Sequence, residues 1–175
     1  MNDSIEIIKY ITPLIILIVA VLLILKHFSD KEKNNSKFEI IRSNNKILTP
    51  IRLQAYERLT LFLERIKPDS LALRLYNSDN TSKQAQMLLT DNVKKEFNHN
   101  LSQQVYISDE LWQVIVNAKE QLIRIINLTG TKPETQSSSA EFSRVLIEVY
   151  NDLEKKPIED ALLLLKKEAS LFFGM

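Results

Sequence analysis

The chain has 175 residues, 45% of them hydrophobic and 26% charged, with a net charge of +1; beyond the first ~45 residues the remainder suits one small domain. Two glycines and five prolines are too few turn-formers for a many-stranded sandwich or barrel, and favour long helices on short connections. The absence of cysteine excludes disulfides, thiolate catalysis and cysteine-rich metal sites. The near-neutral stretch from Ile47 onward lacks the basic footprint that nucleic-acid binding needs.

Tyr10 to Leu25, YITPLIILIVAVLLIL, carries no charge and is bounded by Lys9 and Lys26, whose stems can carry their ammonium groups to lipid headgroups. Counted from Ile7, the span measures roughly 28 Å as a helix, close to the ~30 Å of a hydrocarbon core. Asp3 and Glu6 suit its N-terminal cap, and Pro13 is tolerated in a lipid-embedded helix. A cleaved signal peptide fits less well. The first nine residues hold Asp3 and Glu6 against Lys9 alone, and no small-x-small cleavage site follows the apolar run. A buried core helix would show some polar face, and this stretch has none.

Downstream, Lys26, Lys31, Lys33, Lys37, Arg42 and Lys46 outnumber Asp30, Glu32 and Glu39. The positive-inside bias therefore puts the N-terminus outside and the rest of the chain in the cytoplasm. Residues 29–46, rich in Ser, Asn and Lys, read as a polar tether interrupted by Phe38, Ile40 and Ile41.

Thr49 as N-cap and Pro50 in the first turn are expected to open a helix over 50–67. Its inward stripe is Tyr56, Leu59, Leu63 and Ile66, widened by Leu53, Ala55 and Phe62. Pro68 ends it. Leu71, Leu73 and Leu75 alternate with Ala72 and Arg74 and permit a short strand, but no second strand is near, so a helical turn or extended connector is favoured. Residues 81–104 place Ala85, Leu88, Leu89, Val93, Phe97 and Leu101 at helical spacing, and Val105 to Ile107 form a tight connector.

Ser108 caps a helix over 109–128. Leu111, Ile115, Ala118, Leu122 and Ile126 form one stripe of it, and Trp112, Val116 and Ile123 another. Such a wide apolar surface marks the central helix of a bundle, with Gly130 as its stop. After a loop over 131–139, Ser138 and Glu141 make a capping box for 139–155, with Phe142, Val145, Leu146 and Val149 inward. Pro157 starts a last helix that buries Ala161, Leu162, Leu165 and Ala169.

Few motifs carry chemistry. Glu96 and His99 form an E-x-x-H pair, but a carboxylate di-metal bundle needs two such pairs and two further glutamates. The only other histidine is His27, beside the apolar stretch. Ser102 lies on a helix without the strained turn that exposes a nucleophile, and two glycines build no phosphate loop. No cofactor and no metal are expected.

The densest polar residues lie on two helices. One offers Arg52, Gln54, Glu57, Arg58, Glu64 and Arg65; the other offers Glu96, His99, Asn100 and Gln103. They read as solvated faces with weak i,i+4 pairs, as an interhelical ion and amide network, or as a partner-facing surface.

RLQAYERLTLFLERIKP (52–68) and EFNHNLSQQVYISDELWQVIVNAKE (96–120) resemble the two signature blocks of an uncharacterised family of membrane-anchored helical proteins from Bacteroidota. The resemblance spans the chain. It implies a single-span anchored protein and brings no activity, cofactor or partner.

The expected architecture is an all-α chain: a transmembrane anchor (1–28), a tether (29–46) and a small helical-bundle domain (47–175) of four main helices plus a short connector. The expected function is a membrane-tethered interaction or scaffolding module at the cytoplasmic face of a bacterial inner membrane. It would hold a protein partner and no nucleic acid, with self-association open. The alternative is a small enzyme using Glu57, Arg58, Glu96 and His99 in an interhelical cleft. A receptor is disfavoured, because nine external residues build no ligand site.

Overall fold

The computed structural model describes residues 21–27, 46–135 and 138–174. The chain divides into two compact units, Met1–Thr49 and Pro50–Met175. In the first, residues 21–27 are helical and exposed. The rest of the expected anchor, with Asp3, Glu6 and Pro13, and the tether over 29–45 lie outside the described residues. Among the described residues, no helix is long and apolar enough to cross a membrane.

All regular structure among the described residues is helical. A helix over residues 46–66 (α1) is followed by α2 (Pro68–Leu75), α3 (Ser82–His99), a 3₁₀ turn (Leu101–Tyr106), α4 (Asp109–Thr129), a second 3₁₀ turn (Pro133–Thr135), α5 (Ser139–Asn151) and α6 (Pro157–Phe173). Five of these have thirteen or more residues, against the four expected. α5 and α6 are separate, as expected from a helix over 139–155 and another from Pro157, each with its own buried face.

α4 packs against α3, α5 and α6 and so occupies the centre, as its broad apolar surface implies. Leu111, Ile115, Ala118, Leu122 and Ile126 are buried, and Trp112 stacks on Phe97 of α3 with ring centroids 5.3 Å apart. Val116 and Ile123 pack on this core half-buried. Tyr56, Leu59, Phe62, Leu63 and Ile66 bring α1 into the same core, while Phe142, Leu146 and Tyr150 bring in α5. Leu53, Leu88 and Leu101 are exposed instead of inward, and Val149 and Ala169 are only half-buried.

The helix starts follow local side-chain chemistry. Ser108 Oγ accepts the Leu111 amide at 3.2 Å, and Ser138 Oγ accepts the Glu141 amide at 3.2 Å. Thr81 and Gln84 cap each other reciprocally. Proline occupies the first turn of α2 and of α6, where the missing amide has no helical partner to lose.

Several boundaries correct the sequence reading. Thr49 is not an N-cap: the helix already runs at residue 46 and passes through Pro50. Pro50, without an amide hydrogen, gives up its one i→i−4 bond there. Residues 68–75, expected as a helical turn or extended connector, form a two-turn helix; Leu71 and Ala72 are buried while Leu73 faces solvent, a pattern incompatible with period-two alternation.

The helix expected to reach residue 104 stops at His99. Asn100 Nδ2 donates to the Glu96 carbonyl at 2.8 Å, and the Asn100 amide turns to the Phe97 carbonyl at 2.9 Å. A side chain that takes the i−4 carbonyl competes with helix continuation, and the chain tightens into the 3₁₀ turn. α5 stops at Asn151 instead of 155: the Asp152 amide closes the helix on the Glu148 and Tyr150 carbonyls, and Lys156 before Pro157 is extended. Gly130 does stop α4, but with φ −65°, in right-handed geometry. Its lack of a Cβ admits Gln86, whose side-chain oxygen would lie 2.4 Å from a Cβ built there.

Candidate functional site

The ten polar residues singled out in the sequence divide into four groups. Gln54, Glu57 and Arg58 on α1 are exposed and make no side-chain hydrogen bond or ion pair among the described residues; His99 behaves likewise at the end of α3. With Leu61, Glu64 and Arg65, the α1 residues form one outward face. Glu64 pairs along the chain with Lys67 at 2.7 Å.

The second group is a network that joins three helices. Glu96 keeps only 14% of its side chain exposed, and its Oε1 accepts Arg74 Nη1 at 3.0 Å. Its other oxygen meets Arg65 Nη1 at 3.5 Å. Arg74 Nη2 donates further to Asn92 Oδ1 at 3.1 Å and to the Arg65 carbonyl at 3.2 Å. Arg74, on α2, is therefore the hub. No periodic signal marked Arg74, since its partners Asn92 and Glu96 lie 18 and 22 residues away.

The third group lies where the start of α1 meets the end of α6. Arg52 Nε donates to the Tyr106 carbonyl at 2.8 Å, and its guanidinium sits 4.1 Å from the centroid of the Phe172 ring. One turn on, the Tyr56 hydroxyl donates to Glu168 Oε1 at 3.0 Å. The Ser108 amide donates to that same oxygen at 3.0 Å, while the Ser108 hydroxyl donates to Glu168 Oε2. Burial, reinforced by the hydrogen bond to Glu168, raises the Tyr56 pKa. Ser108 was legible as a cap. Glu168 was not, since its partners lie 60 and 112 residues away.

Asn100 and Gln103 serve the chain locally: Asn100 ends α3, and Gln103 is buried beside Ser102, to which its amide donates at 3.1 Å. Glu57, Arg58, Glu96 and His99 are thus not joined into one cluster by any hydrogen bond or ion pair.

The cavities are shallow. Three adjoining depressions of about 320, 430 and 400 Å³ follow the outer face of α4, sharing Asn117, Gln121 and Lys155 at one end and Glu120, Arg124 and Leu128 at the other. A fourth, of about 390 Å³, lies at the start of α3 beside Gly130. Glu57, Arg58, Glu96 and His99 line none of the four. Among the described residues, no group of three His, Cys, Asp or Glu side chains is disposed to hold a metal ion.

A family model matches residues 2–172 of the chain. The chain belongs to this family of unknown function, DUF7935. No curated protein and no solved structure matches it. In this DUF7935 chain, the Arg74 hub and the Glu168 cluster tie helices to one another, and every acceptor in them is already engaged. Gln54, Glu57 and Arg58 on the outward face of α1 are different: among the described residues, their side chains have no hydrogen-bond or ion-pair partner.

Proposed function

We propose that the protein is a single-span, membrane-tethered interaction module. The N-terminus lies outside, and the helical domain holds a protein partner at the cytoplasmic face of a bacterial inner membrane. The bacterial setting follows from the resemblance of blocks 52–68 and 96–120 to those of anchored Bacteroidota proteins.

The observation that carries the reading is the state of residues 21–25. Val21, Leu22, Leu23, Ile24 and Leu25 are helical, and each keeps between 47% and 63% of its surface exposed. Five consecutive large apolar side chains round a helix leave no polar face to turn to water. They end an uncharged run that begins at Tyr10 and is followed by a basic flank. The interaction role is supported by the α1 face of Gln54, Glu57, Arg58, Leu61, Glu64 and Arg65, with two arginines beside an exposed leucine.

Two measurements test the reading. The full chain should stay with the membrane pellet after alkaline carbonate extraction, and its intact mass should retain residues 1–28; release, or a mature start near Ser29, would sink the anchor. A photo-crosslinking residue at Leu61 should yield a discrete adduct in cells that Arg58→Glu abolishes without lowering Tm. No adduct from position 61 would place the partner on another face, and an adduct unaffected by Arg58→Glu would take Arg58 out of the contact.

A further inference from the structure

Exposed apolar side chains gather at one end of the helical domain. Arg52 organises them: it donates to the carbonyl of Tyr106 and lies over the ring of Phe172. Its chain neighbour Leu53 is 53% exposed, Val105 beside Tyr106 is 76% exposed, and Leu171 beside Phe172 is 74% exposed. Three separate elements, α1, the first 3₁₀ turn and α6, thus each carry an exposed apolar side chain next in sequence to Arg52 or to a residue it contacts. The fold does not need them there, since the core closes on Tyr56, Leu59 and Leu165.

We infer that this end of the domain, with Leu53, Val105, Leu171 and Phe172 set around Arg52, rests in the headgroup layer of the bilayer. The inference rests on the anchor reading given above. The chain itself favours this occupant. α1 carries Leu53, and only residues 28–45 separate α1 from the helix over 21–27 that ends the apolar run, a segment that spans at most about 65 Å. A surface on so short a leash meets the bilayer at roughly millimolar effective concentration, so a patch too weak to recruit a free protein suffices.

The chemistry favours it as well. The apolar side chains stand singly among Arg52, Gln54 and Gln104, which suits a fluid interface better than the contiguous packed centre that a protein partner needs. Phe172 with a cation on its ring has an apolar body for the acyl boundary and a charged group for the headgroups.

The chain has no cysteine, so single labelling sites can be introduced cleanly. The full chain is reconstituted in vesicles of phosphatidylethanolamine and phosphatidylglycerol. A nitroxide is placed through Leu171→Cys, Val105→Cys, Leu22→Cys or Leu73→Cys; Leu73 is 84% exposed on α2, beyond the far end of α1. The ratio of oxygen to nickel-chelate collisions should be several-fold higher at 171 and 105 than at 73. Equal ratios at 171, 105 and 73, with position 22 in hydrocarbon, would overturn the inference and leave the anchor standing. A label at 171 shielded from both colliders would show protein covering it, a second copy or a partner, and would also overturn it. Water-like ratios at 22 as well as at 171 would remove the anchor reading and this inference with it.

Discussion

Arg74 and Glu96 meet at 3.0 Å across the junction of α2 and α3, and the arginine's Nη2 donates to Asn92 and the Arg65 carbonyl. Arg65 reaches the same carboxylate at only 3.5 Å, with 58% of its side chain in solvent. The two arginines should therefore differ on removal. Arg74→Ala loses one bond to a largely buried carboxylate together with the contacts to Asn92 and the Arg65 carbonyl, and about 1 kcal/mol is expected. Arg65→Ala removes an exposed pair and should cost less than about 0.5 kcal/mol. Urea denaturation of both variants checks the order, and an equal loss would deny Arg74 its role as hub.

Leu122 is fully buried on the innermost face of α4, between helices that pack from three sides. Leu122→Ala leaves a cavity that those neighbours fill only in part, and about 2–5 kcal/mol of stability should be lost. A loss below about 0.5 kcal/mol, the level of an ordinary surface site, would move α4 from the centre of the domain to its rim.

Tyr150 closes the turn between α5 and α6. Its hydroxyl donates to Glu159 at 2.6 Å and accepts the Ile158 amide at 3.3 Å. Burial, then the hydrogen bond to the Glu159 carboxylate, pushes its pKa well above the tyrosine range. The folded state thus favours the neutral phenol. Its contribution is complete below the unfolded value of ~10 and falls away as pH rises beyond it. Denaturation measured at rising alkaline pH should show stability declining from there, and Tyr150→Phe should flatten the decline while lowering stability at neutral pH by about 1 kcal/mol. An unchanged alkaline slope in Tyr150→Phe would assign the loss to other groups.

Thr129 ends α4 fully buried, and its hydroxyl has no hydrogen-bond partner. A buried hydroxyl without a partner carries a desolvation penalty that a methyl group of the same shape does not. Thr129→Val should therefore raise stability, by about 1 kcal/mol, visible as an increase in Tm. A loss of similar size would show that the hydroxyl is hydrogen-bonded after all.

The periodicity of the chain determined its helices and most of its core, because a helix is specified by neighbours three and four residues away. Ser108 and Ser138 were legible as caps and Pro157 as a start, since a cap needs only the next turn. The stripe from Leu111 to Ile126 identified the central helix. Local signals failed where two local interactions compete. Asn100 can continue a helix or take the carbonyl of Glu96, and Leu71 to Leu75 satisfy a strand pattern and a helix pattern equally until packing buries Ala72.

The candidate site was legible only as a set of side chains. Arg52, Arg65 and Glu96 were singled out, but not that Arg52 would lie on Phe172 or that Arg74 would hold Glu96. Nor did anything near Tyr56 point to Glu168, 112 residues on. An ionic or hydroxyl contact leaves no periodic trace in sequence; it depends on which helix ends the packing of α4, α5 and α6 brings together. Tertiary structure alone therefore decided which charges are spent inside the fold and which, like Glu57 and Arg58, stay turned outward.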